Sequence, residues 1–174
     1  MSADLRIERT YPEPPSVVWA ALTDRRALAE WLMPNDFAPV IGHRFRFLAD
    51  PSPGYPGETT CRVLDLEPPA RMTWSWSTGP DDPPGRPGAA TTVSWTLVPE
   101  RGGTRLVLEH TGLSALGRWQ RLITRRAWRR MLRHLLPRVL RNVSPDGTFT
   151  PGAIPPEERA YSARTVPPGF LVGG

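Results

Sequence analysis

The chain offers few side chains that could do chemistry near neutral pH: three histidines and one cysteine among 174 residues. His43 and His110 are the two histidines expected on an inner, apolar face, because each lies in a stretch where apolar and polar residues alternate. Either would need an acid or base beside it to move a proton, and the spacing supplies none. Glu109 precedes His110 in an extended segment, so the two side chains point to opposite faces. A lone inward histidine is ordinarily satisfied by a backbone carbonyl or a hydroxyl. His134 is expected to be solvated on the edge of a helix. Asp65 is the one further polar group that could join His43 and His110 in an apolar cavity. Cys61, in mid-strand, reads as a small buried hydrophobe rather than a thiolate nucleophile. There is no Gly-x-Ser-x-Gly elbow, no phosphate-cradling glycine loop and no His/acid metal spacing. A single cysteine also excludes an intrachain disulfide or a cysteine-rich zinc site. No cofactor and no metal are expected.

The aromatic residues carry the stronger signal. Met72, Trp74 and Trp76 alternate strictly with Thr73, Ser75 and Ser77, and Val93, Trp95 and Leu97 alternate with Thr92, Ser94 and Thr96. Trp74, Trp76 and Trp95 therefore share one face, and Trp128 would meet them from a helix docked on it. Two readings stand side by side: a packed aromatic core, or the wall of a ligand cavity. Phe45, Phe47, His110, Met131 and Leu135 belong to the same inward set, with Met131 adding an adaptable surface.

Charge is concentrated in one segment. Residues 112–144 hold nine Arg and no acid, whereas the rest of the chain is acidic on balance, so this segment alone produces the net charge of +5. Every basic residue is Arg, as genome-wide codon usage would give, so the choice of guanidinium over ammonium carries little local information. An arginine face could meet an acidic protein through Arg129, Arg130 and Arg133. It could equally be a solvated face whose stems lie over apolar surface. Nucleic acid is not the expected partner.

These residues must be positioned by a small set of elements. Leu5 and Ile7 alternate with Arg6 and Glu8 in a first short strand. Val17 to Leu22 forms a helix after a proline-rich start, and Thr23-Asp24 offers the N-cap of a second, Arg25 to Trp31. From His43 the period changes to two. In the strand Thr60 to Leu66, Cys61 and Val63 compete with Leu64 and Leu66 for the inner face. Pro68-Pro69 and Gly102-Gly103 are turns, and Thr78 to Ala90 is a long, mobile connection. The apolar face of this antiparallel meander needs a cover, and the segment from about Leu116 to Arg141 is long enough. Trp128, Met131, Leu132, Leu135, Leu136 and Val139 share one side of it. Leu116, Trp119, Ile123 and Ala127 form a stripe rotated away from that side, which predicts a break near 124–127, and Pro137 should kink the last turns. Residues 144–174 are expected to be a poorly ordered Pro/Gly-rich tail to a 1–143 domain. No apolar run is long enough to span a bilayer and no secretory leader is evident, so a reducing, cytoplasmic setting is expected.

Strand, two short helices, strand meander and long C-terminal helix is the order of the helix-grip fold, an α+β architecture with a curved antiparallel sheet of about six strands gripping that helix on its concave face. The stretches RTYPEPPSVVWAALTD, WLMPNDFAPVIGHRFRF, VLDLEPPARMTWSW and AWRRMLRHLLPRVL resemble the SRPBCC (START-like) superfamily. Within it they are most similar to the bacterial single-domain branch named after the activator of the ninety-kilodalton heat-shock protein ATPase. The resemblance covers roughly residues 4–141. It implies a cavity between sheet and last helix that accepts a small apolar or aromatic ligand, and by the branch's name a stress-response setting. A chaperone-accessory role is the second implication. The namesake's additional N-terminal activator domain has no counterpart in these residues, which counts against chaperone activation itself. Cyclase or aromatase chemistry, known in the superfamily, enters by analogy alone, since no enzyme motif is present.

Overall fold

The computed structural model describes residues 4–53, 55–78 and 91–171. Six strands form one antiparallel sheet: β1 (Leu5–Tyr11), β2 (Arg44–Leu48), β3 (Glu58–Glu67), β4 (Arg71–Thr78), β5 (Thr91–Glu100) and β6 (Gly103–Thr111), in the spatial order β1-β6-β5-β4-β3-β2. Five consecutive strands make a meander, and β1 closes onto the last of them. The alternation read in the sequence is the alternation of burial. One inward row runs Val63, Trp74, Val93, His110 and Leu5, and the next runs Met72, Trp95, Leu108 and Ile7. Cys61 and Val63 take the inner face of β3, and a register shift between Val63 and Asp65 turns Leu64 out to solvent. Most of the expected mobile connection, residues 79–90, lies outside the described residues. At the β5–β6 hairpin, Gly102 has φ 86°, and any Cβ on Gly103 would collide with the Tyr11 carbonyl.

Between β1 and β2 the chain forms α1 (Pro15–Thr23) and α2 (Arg25–Trp31). Proline opens α1 where a missing N–H costs nothing. Asp24 caps α2, its carboxylate accepting the Arg26 backbone N–H at 2.8 Å. The Trp31 indole N–H donates to the Ala21 carbonyl at 2.9 Å and locks the helix pair. The covering helix begins as α3 (Arg118–Arg130), widens into π-type turns over Met131–Leu135 and ends as α4 (Leu136–Leu140). The expected break at 124–127 is thus displaced to 131–135, and Pro137 explains why. Its ring nitrogen cannot donate to the Arg133 carbonyl, and the Leu136 N–H bonds the Met131 carbonyl one residue beyond the α-helical partner. The Tyr11 hydroxyl donates to the Leu132 carbonyl at 2.6 Å, fastening this irregular stretch to β1.

Residues 144–171, expected to be a poorly ordered tail, instead pack along the domain. Phe149 and Ile154 are fully buried, and Val143 and Phe149 form a β-bridge. Two carboxylates from the domain tie the rest down. Glu30 accepts the backbone N–H groups of Gly152 and Ile154 at 2.6 and 2.8 Å. Asp50 accepts from the Ser162 hydroxyl and from the Arg164 and Thr165 backbone N–H groups. Composition suggested disorder, yet a segment with few apolar residues is ordered here by partners more than a hundred positions away.

Candidate functional site

The tryptophans divide into two groups. Trp74 and Trp95 are fully buried and form a cluster of edge-to-face and tilted aromatic contacts with Trp31, Phe37, Phe45 and Phe47, ring centroids 5.0–5.8 Å apart. Their indole N–H groups have no hydrogen-bond partner among the described residues. That costs ~1–3 kcal/mol each and is outweighed by the area the rings bury. Phe45, Phe47, Trp74, Trp95 and Leu135, named above as candidate cavity residues, are therefore core packing: α1, α2 and the turns after α3 fill the concave face at their level.

The cavity lies beside this cluster, under the first three turns of α3. It has a volume of ≈ 400 Å³, within the range of small-molecule sites. Trp76 and Thr78 of β4 and Thr59 of β3 form its floor. Trp119, Ile123, Ala127 and Met131, at four-residue spacing along one helical face, form the roof together with Trp128 and with Leu116, which lies just before α3. Tyr55 of the β2–β3 loop and Tyr161 of the C-terminal segment stand 5.9 Å apart on a third side. The Tyr55 hydroxyl is within 3.2 Å of the Thr59 hydroxyl. No charged side chain lines the cavity among the described residues; Ser52, Thr59, Thr78, Gln120 and Thr124 supply its polar groups. Trp119 is 69% exposed and Ile123 46%, so they mark the mouth. Trp128 is the one buried residue of α3, so the helix is anchored at its C-terminal end and held loosely above the cavity.

Of the residues singled out from sequence, Trp76, Trp128 and Met131 line this space. His110 does not; it stands behind the wall, its ring 6.0 and 6.2 Å from those of Trp76 and Trp128. The Trp128 indole N–H lies 3.2 Å from His110 Nδ1, which must accept. Nε2 therefore carries the proton and donates to the Thr91 hydroxyl at 2.7 Å, which donates in turn to the Trp76 carbonyl at 2.9 Å. This relay requires a neutral imidazole, and burial lowers the His110 pKa to about 4. His43 is half-buried with Nε2 2.9 Å from the Asp36 carbonyl, and Asp65 is ion-paired with Arg71 at the surface. His43, His110 and Asp65 are not brought together. Cys61 is a buried free thiol whose pKa is raised by burial.

Sequence reasoning missed Leu116, Trp119, Ile123, Ala127, Tyr55 and Tyr161. The first four were visible as the rotated apolar stripe, read as a bend when it is the roof of the cavity. Among the described residues no group of His, Cys, Asp or Glu could hold a metal ion, and no helix is long and apolar enough to cross a membrane.

A curved six-stranded sheet gripping a C-terminal helix, with an apolar hollow between them, is the helix-grip architecture of the SRPBCC superfamily. The chain belongs to the family described as Activator of Hsp90 ATPase homolog 1-like protein, whose model matches residues 12–140. Protein MLL2253 from Mesorhizobium loti is 31% identical, over 80% of this chain and 98% of that one, with a TM-score of 0.68. DynU16, from the dynemicin biosynthetic locus, shares the fold at 23% identity and TM-score 0.64, over 82% of this chain and 48% of that longer one. The Aha1 dimer from Colwellia psychrerythraea does so at 18% identity and TM-score 0.60, over 74% and 89%. A search of curated proteins gave no match.

Proposed function

We propose that this protein binds a small, neutral, apolar or aromatic molecule between β4 and α3. The observation that carries this reading is a ≈ 400 Å³ hollow ringed by Tyr55, Trp76, Trp119, Trp128 and Tyr161, with no charged group on its wall among the described residues. Leaving Trp119 and Ile123 in water forgoes the ~25 cal/mol per Å² that burial would supply, and an apolar guest recovers it. On the scale of a 150 Å³ cavity that holds one benzene ring, the space takes about two or three fused or linked rings. A reducing, cytoplasmic setting suits a chain whose one cysteine is a buried free thiol.

The test is titration with the neutral fluorophore N-phenyl-1-naphthylamine, read by its emission and by thermal melting. At a hundredfold excess over Kd, binding to the folded state alone stabilises by about 2.7 kcal/mol. For a chain of this size that raises Tm by roughly 5–10 °C. Ala127→Trp, which fills the roof, should remove both signals while leaving the unliganded Tm unchanged or higher. Absence of saturable binding to the native protein would overturn the reading.

A second reading, an acidic protein partner, has one observation in its favour. Arg129, Arg130 and Arg133 are exposed, and none is ion-paired to a described acid. Glutamine at all three should abolish a salt-sensitive association without altering fluorophore binding.

A further inference from the structure

We propose that Tyr161 determines ligand length: it is the partition between the α3 cavity and a second compartment formed by the C-terminal segment. This inference rests on the ligand-binding reading above. The second compartment, of ≈ 680 Å³, is bounded by the apolar Ala29, Pro34 and Leu171 and by the charged Glu157, Arg159 and Arg164, among others. It shares two lining residues with the first cavity, Leu32 and Tyr161. Leu32 is 2% exposed at the end of α2 and is fixed by the core. Tyr161, partly buried on the C-terminal segment, is the other shared wall residue.

The segment that carries Tyr161 lies beyond residues 12–140, the part shared with the family. It is nevertheless pinned on both sides of that residue. Glu30 holds Gly152 and Ile154. On the other side, the Asp50 backbone N–H donates to the Ser162 carbonyl at 2.7 Å while its carboxylate grips Ser162, Arg164 and Thr165. These hydrogen bonds hold the Asp50 carboxyl well below the usual carboxylate range. With its neighbours clamped, the Tyr161 ring is held facing Tyr55 across 5.9 Å. In this position it limits the occupant to a compact molecule. Without the ring, the two compartments would join and more than double the space open to a linear ligand.

Linear primary alcohols from hexanol to hexadecanol, competing with N-phenyl-1-naphthylamine on the full chain, test this directly. While each added methylene is buried, affinity rises about fourfold. Wild type should stop gaining at an intermediate length, Tyr161→Ala should keep gaining for several further methylenes, and Tyr161→Phe should behave as wild type. Melting curves confirm that the variants are folded, and Tyr161→Leu replaces the alanine variant if that one is not. Identical length profiles for wild type and the ring-deleted variant would overturn the partition while leaving the ligand-binding reading intact. Failure of any alcohol or fluorophore to bind wild type would overturn that reading and this one with it.

Discussion

Acidification from pH 7 to pH 4.5 should weaken the fold through His110, and the size of the effect follows from its surroundings. The unfolded chain takes up a proton on this imidazole near its ordinary pKa of 6.5, whereas burial lowers the folded value to about 4. Protons bind the unfolded state first, so stability is full above 6.5, falls as the pH drops toward 4 and levels off below it. Over the stated interval the loss is ~2 kcal/mol. Protonating Nδ1 would also set an N–H against the Trp128 indole N–H only 3.2 Å away, breaking the bond that fastens α3 to β6. The carboxylates with lowered pKa values, Glu8, Asp24, Asp50 and Asp146, begin to lose their stabilising contribution at the acid end of this interval and lose most of it below, and that share is common to wild type and the His110 variant. Urea unfolding at half-unit pH steps, on wild type and His110→Gln, measures the effect. The variant is less stable at pH 7 but should lose ~2 kcal/mol less than wild type on going to pH 4.5. Equal slopes for the two proteins, or a flat wild-type profile, would refute the assignment of a neutral, buried imidazole.

Other consequences can be checked with the same protein. Glu30→Ala leaves the Gly152 and Ile154 N–H groups without their carboxylate acceptor, at a cost of about 3 kcal/mol. A Tm within a degree of wild type would show that the C-terminal segment adds little to the fold. In native-state hydrogen exchange, amides of residues 121–127 should exchange much faster than those of 131–140, because α3 buries Trp128 alone whereas the turns after it bury Met131, Leu132, Leu135, Leu136, Val139 and Leu140. Saturation with N-phenyl-1-naphthylamine should slow the first group and leave the second unchanged; uniform protection along the helix would contradict a roof anchored at one end.

The sheet was legible because alternation is a local signal: Met72-Trp74-Trp76 and Val93-Trp95-Leu97 announce both their strands and their inner faces. The Asp24 cap and the prolines before α1 placed the two short helices in the same way. The site was only half legible. A period-two pattern says that Trp74, Trp76 and Trp95 share a face, but not which of them the covering helix will bury. That depends on the widened turns at 131–135, which set the rotation of α3 relative to α4. Trp76 thus lines the hollow, while Trp74, two residues earlier, is sealed beneath Phe37 and Phe45. The C-terminal segment was misread for a different reason. Its order comes from Glu30 and Asp50, distant carboxylates whose pairing with backbone N–H groups leaves no trace in the local composition of residues 144–171.

Intermolecular nuclear Overhauser effects from bound N-phenyl-1-naphthylamine to the protein's methyl groups test the location of the hollow most directly. Cross-peaks to Ile123, Ala127 and Met131, with none to Leu97 or Leu140, are the predicted result. Saturable binding whose cross-peaks fall elsewhere, on the exposed Val40 and Ile41 for example, would contradict a site between β4 and α3.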